Sequence, residues 1–551
     1  MIILNFMNSN TQFKEQIFLL TNDDIITFPY FQGYCFVEND LIINHKGFSR
    51  YFAKKNKAVL PGEDGCYVTI YEQNGSIIIG ADANGYKKIF YYNRDNKWAV
   101  SNSLNKLIEK LKQWGVNLTR NEAQYFSILN DNNFTQQMTS YYTIFEEIKL
   151  LPSYRYIEVV ENKFNFKSWE MPSFSTYEEA LACYINLWTS RIKTLLTGDE
   201  NYVIPDITGG RDSRTFLALF KYAIEDLESD SLTSHFSFNS SKIVLSDFSV
   251  AESICKKYNL PLNKRLPLYK QQQLSPYQQY KLWKDINFGA YHAFFVPNGF
   301  PNHNYFRASG AAGGNHTPFY PRIDTSIFLD RYKNIFSDTD ILNPDYCKHE
   351  TFGKWRFEVQ DSLNDLVQHT NSGNVHPHVL MYREFRDRFH GGRSPQYGLT
   401  LVPLASKYLT AASNLCSAEK LENFQVLIDI MENLCPGLAT MPYETEQKKP
   451  NAKALEQVTR LTKLSLNDNA GTIYSEKVQY DIDSYKGKIT PFSLFYDEFE
   501  TYAESYNGGL LSKSYVKDKL ESIKELKALG KFSHATKILP YSHILMHKFF
   551  D

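Results

Sequence analysis

A chain of 551 residues exceeds what one hydrophobic core ordinarily organises, so two or more domains are expected. With 43% hydrophobic and 22% charged residues, the composition excludes wholesale disorder. A formal net charge of −1 excludes general electrostatic capture of nucleic acid or of anionic membranes.

The amino terminus lacks the basic start, apolar run and small-residue cleavage site of a signal peptide, and no stretch approaches the roughly 20 apolar residues of a membrane span. The seven cysteines are scattered and form no Cys-x-x-Cys pair, which reads as reduced thiols in a cytoplasmic protein. From the start to about residue 172 the chain shows short β-type runs at 34–37, 66–71, 76–79, 89–92 and 98–100, the pattern of stacked antiparallel sheets. Asn74-Gly75 and Asn84-Gly85 supply residues that tolerate positive φ, and the first pair sits where a hairpin turn would. Helices are expected at 103–111 and 120–129.

Around 169–176 the β-rich character ends. Ser175 with Glu178, or Thr176 with Glu179, has capping-box spacing, and Leu181, Ile185, Trp188, Ile192 and Leu195 share one helical face over 177–196. A short apolar strand follows at 202–207, then Thr208-Gly209-Gly210-Arg211-Asp212-Ser213, then helical periodicity over 215–224. A second strand and helix at 232–238 and 248–258, with an extended segment from 260, suggest a parallel sheet. Beyond Ser309-Gly310 the chain reads as mainly helical and aromatic, ending in a Lys-rich helix at 514–529.

A strand ending in two glycines lets the main chain turn tightly, and the helix behind it directs unpaired N–H groups toward an anion. Pyrophosphate suits such a cradle. Thr208 and Ser213 offer hydroxyls, Arg211 or Arg214 offers a phosphate partner, and Asp212 is a hard-oxygen ligand for Mg2+. The spacing matches neither the Gly-x-x-x-x-Gly-Lys loop nor the three-glycine dinucleotide motif.

The segment from Asp206 to Arg214 resembles the Ser-Gly-Gly-x-Asp-Ser signature of the asparagine synthetase family, which includes β-lactam and lasso-peptide synthetases. Ser246-Asp247 with Ala251, and Tyr258-Asn-Leu-Pro261, are similar to that family's second βα unit. Ser309-Gly310 resembles its next nucleotide-contacting pair. Gly65-Cys66, Asp82 with Gly85, Phe90-Tyr-Tyr and the run from Ile148 through Pro152 to Trp169 resemble the family's glutaminase-like domain.

The resemblance implies an α/β plus α+β chain. Residues 1–172 would form an N-terminal-nucleophile-hydrolase-like sandwich, and 173–551 a parallel-sheet ATP-pyrophosphatase synthetase domain with an α-rich C-terminal part. It implies ATP and Mg2+, with Thr208, Gly209, Gly210, Asp212, Ser213, Phe238, Ser309 and Gly310 binding the nucleotide, Phe238 through its backbone against adenine, and Asp212 holding the metal. Lys448 or Lys449 resembles the family's catalytic lysine in position. Arg383, Arg386, Arg388, His390 and Arg393 resemble a segment near the substrate pocket, half of these arginines being expected in structural ion pairs.

Two departures bear on activity. Ile2 stands where glutamine-hydrolysing members carry a nucleophilic cysteine, so no glutaminase activity is expected, and internal Cys35 and Cys66 read as small buried residues. After Ser309-Gly310 the chain runs Ala-Ala-Gly313-Gly314-Asn315-His316, without the acid that usually helps hold magnesium. Gly313-Gly314 reads as a flexible loop and His316 as a surface histidine.

The implied activity is a ligase that adenylates a carboxylate and joins it to ammonia or a substrate amine, releasing AMP and pyrophosphate. Its partners would be small-molecule or peptide carboxylates and amines, and association into a homo-oligomer stays open. The alternative is a degenerate pseudoenzyme that binds a nucleotide or a protein.

Overall fold

The computed structural model describes residues 16–24, 29–129, 132–197, 201–225, 235–264, 266, 271–294, 299–301, 305–370, 375–462, 464, 470–476, 489–528 and 539–550. The chain is mixed α/β, with several sheets and many helices. The largest sheet has seven strands in spatial order Lys163–Ser168, Arg155–Val160, Ser76–Ala81, Asp64–Gln73, Tyr30–Val37, Asp40–Ile43 and Ile473–Tyr474. Neighbours pair antiparallel except the last two, which are parallel. The expected hairpin turns at Asn74 and Gly75, both at positive φ, as a two-residue connection between right-twisted strands requires.

Leu19–Thr21, Lys97–Ser101, Phe90–Arg94 and Lys149–Leu150 form a second, four-stranded sheet. Val68, Ile70, Ile79 and Ile157 of the first sheet share one apolar cluster with Leu20, Trp98 and Val100 of the second, so the two stack face to face. Elsewhere on the large sheet, alternation sends Phe31 and Cys35 toward helix Asn44–Lys55, and Tyr34 and Phe36 toward the rest of the chain. Cys35 and Cys66 are both fully buried, and all seven cysteines are free thiols.

Helix Tyr177–Leu196 is capped by Thr176, whose hydroxyl accepts the Glu179 N–H at 3.1 Å. Strand Tyr202–Pro205 pairs in parallel with Tyr305–Ala308, which pairs in parallel with Thr400–Leu401. On its other side, parallel bridges Val203–Phe236, Asp206–Asn239 and Phe238–Leu262 extend the arrangement. The expected run at 232–238 is thus seen as extended chain from 236, while 232–234 lie outside the described residues. Helices Arg211–Ala223 and Leu245–Lys257 follow the first two segments, and Lys513–Ala528 answers to the Lys-rich helix.

Numbered along the chain, the parallel segments lie in the order third, second, first, fourth, fifth. The order reverses between Tyr202–Pro205 and Tyr305–Ala308, and in open parallel sheets the crevice for ligands opens at the carboxyl ends of such a pair. The two largest apolar clusters both combine side chains from before and after residue 172. Among the described residues, no helix is long and apolar enough to cross a membrane.

Candidate active site at the carboxyl ends of the parallel strands

The loop after Tyr202–Pro205 is shaped by its own hydroxyls. Ser213 Oγ accepts the Thr208 N–H at 3.0 Å and lies 3.1 Å from Thr208 Oγ1, which takes the Gly210 N–H at 3.3 Å. The Gly209 N–H donates to Asp247 Oδ1 at 2.9 Å, so the chain's own carboxylate rests on one cradle amide. Helix Arg211–Ala223 starts from Gly210, which has no side chain to cap it. Its first-turn N–H groups therefore lack a side-chain cap, and Gly310 packs against that of Ser213.

Asp212, in that first turn, is partly exposed, and among the described residues its carboxylate neither accepts a hydrogen bond nor joins an ion pair. Withdrawal from water pushes its acid up to about 6, with Arg211 and Lys448 pulling it down and Asp387 pushing it further up. Arg211 and Arg214, expected as phosphate partners, are committed elsewhere. Arg214 is fully buried, donates to the Leu438, Met441 and Pro442 carbonyls, and stacks on Tyr443 at 3.6 Å. Arg211 donates to the Lys448 carbonyl at 2.7 Å and covers Phe424 at 3.7 Å. Both staple segment 438–448 to the loop, because a planar guanidinium can satisfy several carbonyls while its face stacks on a ring.

Facing this wall, Ser309 and Gly310 follow the fourth parallel strand. A Cβ on Gly310 would lie 2.5 Å from both Ser213 N and Cα, so only glycine lets the two backbones meet. The expected flexible loop at Gly313-Gly314 is instead a 3-10 turn, Gly313–His316, in close contact with its surroundings. A Cβ on Gly313 would sit 2.2 Å from Asp212 Cγ, and one on Gly314 would sit 2.5 Å from the Tyr382 hydroxyl. His316 is not at the surface: it is fully buried between Ser413 Oγ at 2.5 Å and the Leu404 carbonyl at 2.7 Å. Burial holds its imidazole down at about 3.

Asn315 Nδ2 donates to Asp387 Oδ2 at 2.9 Å, and the same oxygen accepts the Tyr86 hydroxyl at 2.8 Å. Asp387 closes a π-helical stretch, Tyr382–Asp387, a distortion often found at functional positions. Burial pushes its acid up to about 6, against the hydrogen bonds from Asn315 and Tyr86 and the nearby charge of Arg386. Of the arginines around it, Arg388 forms the buried ion pair, with Glu384 at 2.8 Å. Arg386 bonds Gln137 Oε1 at 2.8 Å, and Arg383 bonds the Asn315 carbonyl at 2.7 Å. The sequence alone does not single out Asp387, which shares this cationic stretch with a second acid, Glu384.

Lys448 pairs with Glu444 at the edge of the loop, and its charge reaches Asp212. Lys449 pairs with Glu446 at 2.8 Å on the outer surface. Phe238 is fully buried, and the sheet uses both its backbone groups: its N–H donates to the Pro261 carbonyl at 2.9 Å and its carbonyl accepts the Asn263 N–H at 2.7 Å. Asp212, Asn315 and Asp387 are hard-oxygen donors of the type that fits Mg2+. Among the described residues no three His, Cys, Asp or Glu side chains converge as a metal cage. Two carboxylates suit an ion that completes its shell with phosphate oxygens and water. No family model matches the chain, and no curated protein matches it either.

Proposed function

We propose that the chain is an AMP-forming, ATP-dependent amide ligase, with the crevice between Thr208–Ser213 and Ser309–His316 as its nucleotide site. The observation that carries this reading is the loop itself: an uncapped helix end and an unpaired Asp212 carboxylate at the point where the parallel strand order reverses. The resemblance to the asparagine synthetase family supports the reaction type. In that reaction a substrate carboxylate oxygen attacks the α-phosphorus of ATP and the bond to pyrophosphate breaks. An amine or ammonia then attacks the acyl carbon, AMP leaves, and the amine proton passes to a base.

The residues have separate tasks in this scheme. The Gly209 amide and the first-turn amides of helix Arg211–Ala223 take phosphate oxygens, which requires Asp247 to release Gly209. Asp212 and its neighbours would hold Mg2+, which supplies charge neutralisation of the phosphates. Lys448 stands at the rim, where its ammonium stabilises charge developing on phosphorus once Glu444 releases it. The cysteine pattern argues for a cytoplasmic setting.

Release of AMP and pyrophosphate across a panel of acids and amines tests the reading, with a fall of about 100-fold or more expected for Asp212→Ala. Product formation unchanged in that variant, or no ATP binding by calorimetry in the parent protein, sinks it. Asn315 in place of an acid favours a second reading, a nucleotide-binding pseudoenzyme. That form would bind ATP yet never yield AMP with any acid and amine pair.

A further inference from the structure

We propose that Asp387 supplies the second metal-binding carboxylate of this crevice, in place of the charge missing at Asn315, so that one divalent cation sits between Asp212, Asp387 and the phosphates of ATP. The inference rests on the ATP-binding reading above.

Three successive residues of the 3-10 turn meet three side chains in turn. Gly313 leaves its side-chain space to the Asp212 carboxylate, Gly314 leaves its own to the Tyr382 hydroxyl, and Asn315 bonds Asp387. Asp212 and Asp387 therefore flank one short turn. Neither acid forms an ion pair with a lysine or arginine among the described residues, and the nearest arginines bond carbonyls or amides instead. Two neighbouring carboxylates that lack an ion-pair partner repel each other, and a bound cation removes that cost.

Asn315 points to the same conclusion independently of the acids. It is 1% exposed, and its Oδ1 is a buried acceptor without a hydrogen-bond partner. Its amide NH2 must face Asp387, since a carboxylate only accepts. Asn315 thus holds Asp387 in place with one end of its amide and leaves a neutral oxygen donor at the other. Both hydrogen bonds to Asp387 from the described residues fall on Oδ2, while Oδ1 lies in the side-chain space that Gly391 leaves open, 2.2 Å from where a Cβ would sit. The acid has moved from the turn to the π-helical stretch facing it. Tyr86, Gly85 and Leu151 of the N-terminal part hold that stretch through Asp387 and Arg388.

Mn2+, as an EPR-visible substitute for Mg2+, is titrated into the full-length protein with and without ATP. Tight uptake is expected only with ATP present. Asp387→Asn should weaken that uptake about tenfold or more while metal-free ATP binding by calorimetry persists, and adding Asn315→Asp to that variant should restore part of it. Parent-like Mn2+ uptake by Asp387→Asn overturns the assignment and leaves the ATP reading standing. Failure of the parent to bind ATP overturns both. Anomalous diffraction from parent crystals grown with Mn2+ and a non-hydrolysable ATP analogue requires no variant. A peak at about 2.1 Å from oxygens of both Asp212 and Asp387 supports the assignment, and a peak touching Asp212 alone overturns it.

Discussion

The wall of the crevice at 206–213 takes all its side chains from one continuous segment. The facing wall takes Asn315 and Asp387 from positions 72 residues apart, and Tyr86 from 301 positions before Asp387. The first wall has local hydroxyls bonded to neighbouring amides and Gly310 laid directly on Asp212 and Ser213, with Asp247, Arg211 and Arg214 adding longer-range side-chain bonds. The second is held by side-chain hydrogen bonds between elements that tertiary packing alone brings together. Steric changes should therefore act most strongly on the first wall, and removal of single polar atoms on the second.

Gly310→Ala should have the largest effect. Its Cβ would meet Ser213 N and Cα at 2.5 Å, where backbone cannot rotate aside, so a loss of about 1–3 kcal/mol is expected in chemical denaturation. In Gly313→Ala the atoms nearest the new Cβ all belong to the Asp212 carboxylate, at 2.2 Å to Cγ. No hydrogen bond pins that carboxylate, so it can turn away, with less than about 1 kcal/mol lost but weaker uptake of Mn2+ with ATP. Equal destabilisation by the two substitutions would break the contrast, because Asp212 would then be as rigid as the backbone behind it.

This contrast also separates what could be read in the sequence from what could not. The glycine pair, the hydroxyls and Asp212 lie within a few residues, and strand, loop and helix follow from local periodicity. The hairpin at Asn74-Gly75 and the Thr176 cap were legible for the same reason: turn and cap chemistry act over four residues or fewer. The roles of Arg211 and Arg214 were not, because charge and position suit a phosphate as well as a backbone staple, and only the fold brings Leu438 and Met441 within reach. His316 reads as polar and hence exposed, yet Ser413 and the Leu404 carbonyl satisfy it in the core. Asp387 escaped because the distant Asn315 and Tyr86 define its setting.

Asp212→Asn should have a smaller effect that depends on pH and opposes the usual cost of mutating a functional residue. In the metal-free protein Asp212 has its acid raised to about 6, above its unfolded value of about 3.9, so the folded state is penalised while the group is ionised. The penalty is complete above about pH 6 and fades as pH falls toward about 4. Without divalent cation, Asp212→Asn should thus be more stable than the parent by about 1–2 kcal/mol at pH 7.5, with the gap closing by pH 4. Thermal unfolding across that range reads it. A parent as stable as the variant at pH 7.5 would mean that Asp212 carries no strain and that the two walls do not differ there.

Tyr86→Phe should have a modest effect and addresses the second wall alone. The hydroxyl donates to Asp387 at 2.8 Å from a fully buried ring, so the substitution keeps the packing and removes one of the two bonds on Oδ2. A loss of about 1 kcal/mol in chemical denaturation is expected, since the remaining donor, Asn315, still holds the carboxylate. The Tyr86 bond also favours the ionised form, so its removal should raise the Asp387 acid further above about 6. Any gain in stability on acidification below neutral pH should then begin at a higher pH in Tyr86→Phe than in the parent. The two profiles would superimpose if Asn315 alone fixed the charge on Asp387, and the N-terminal part would then have no hold on the crevice through this residue.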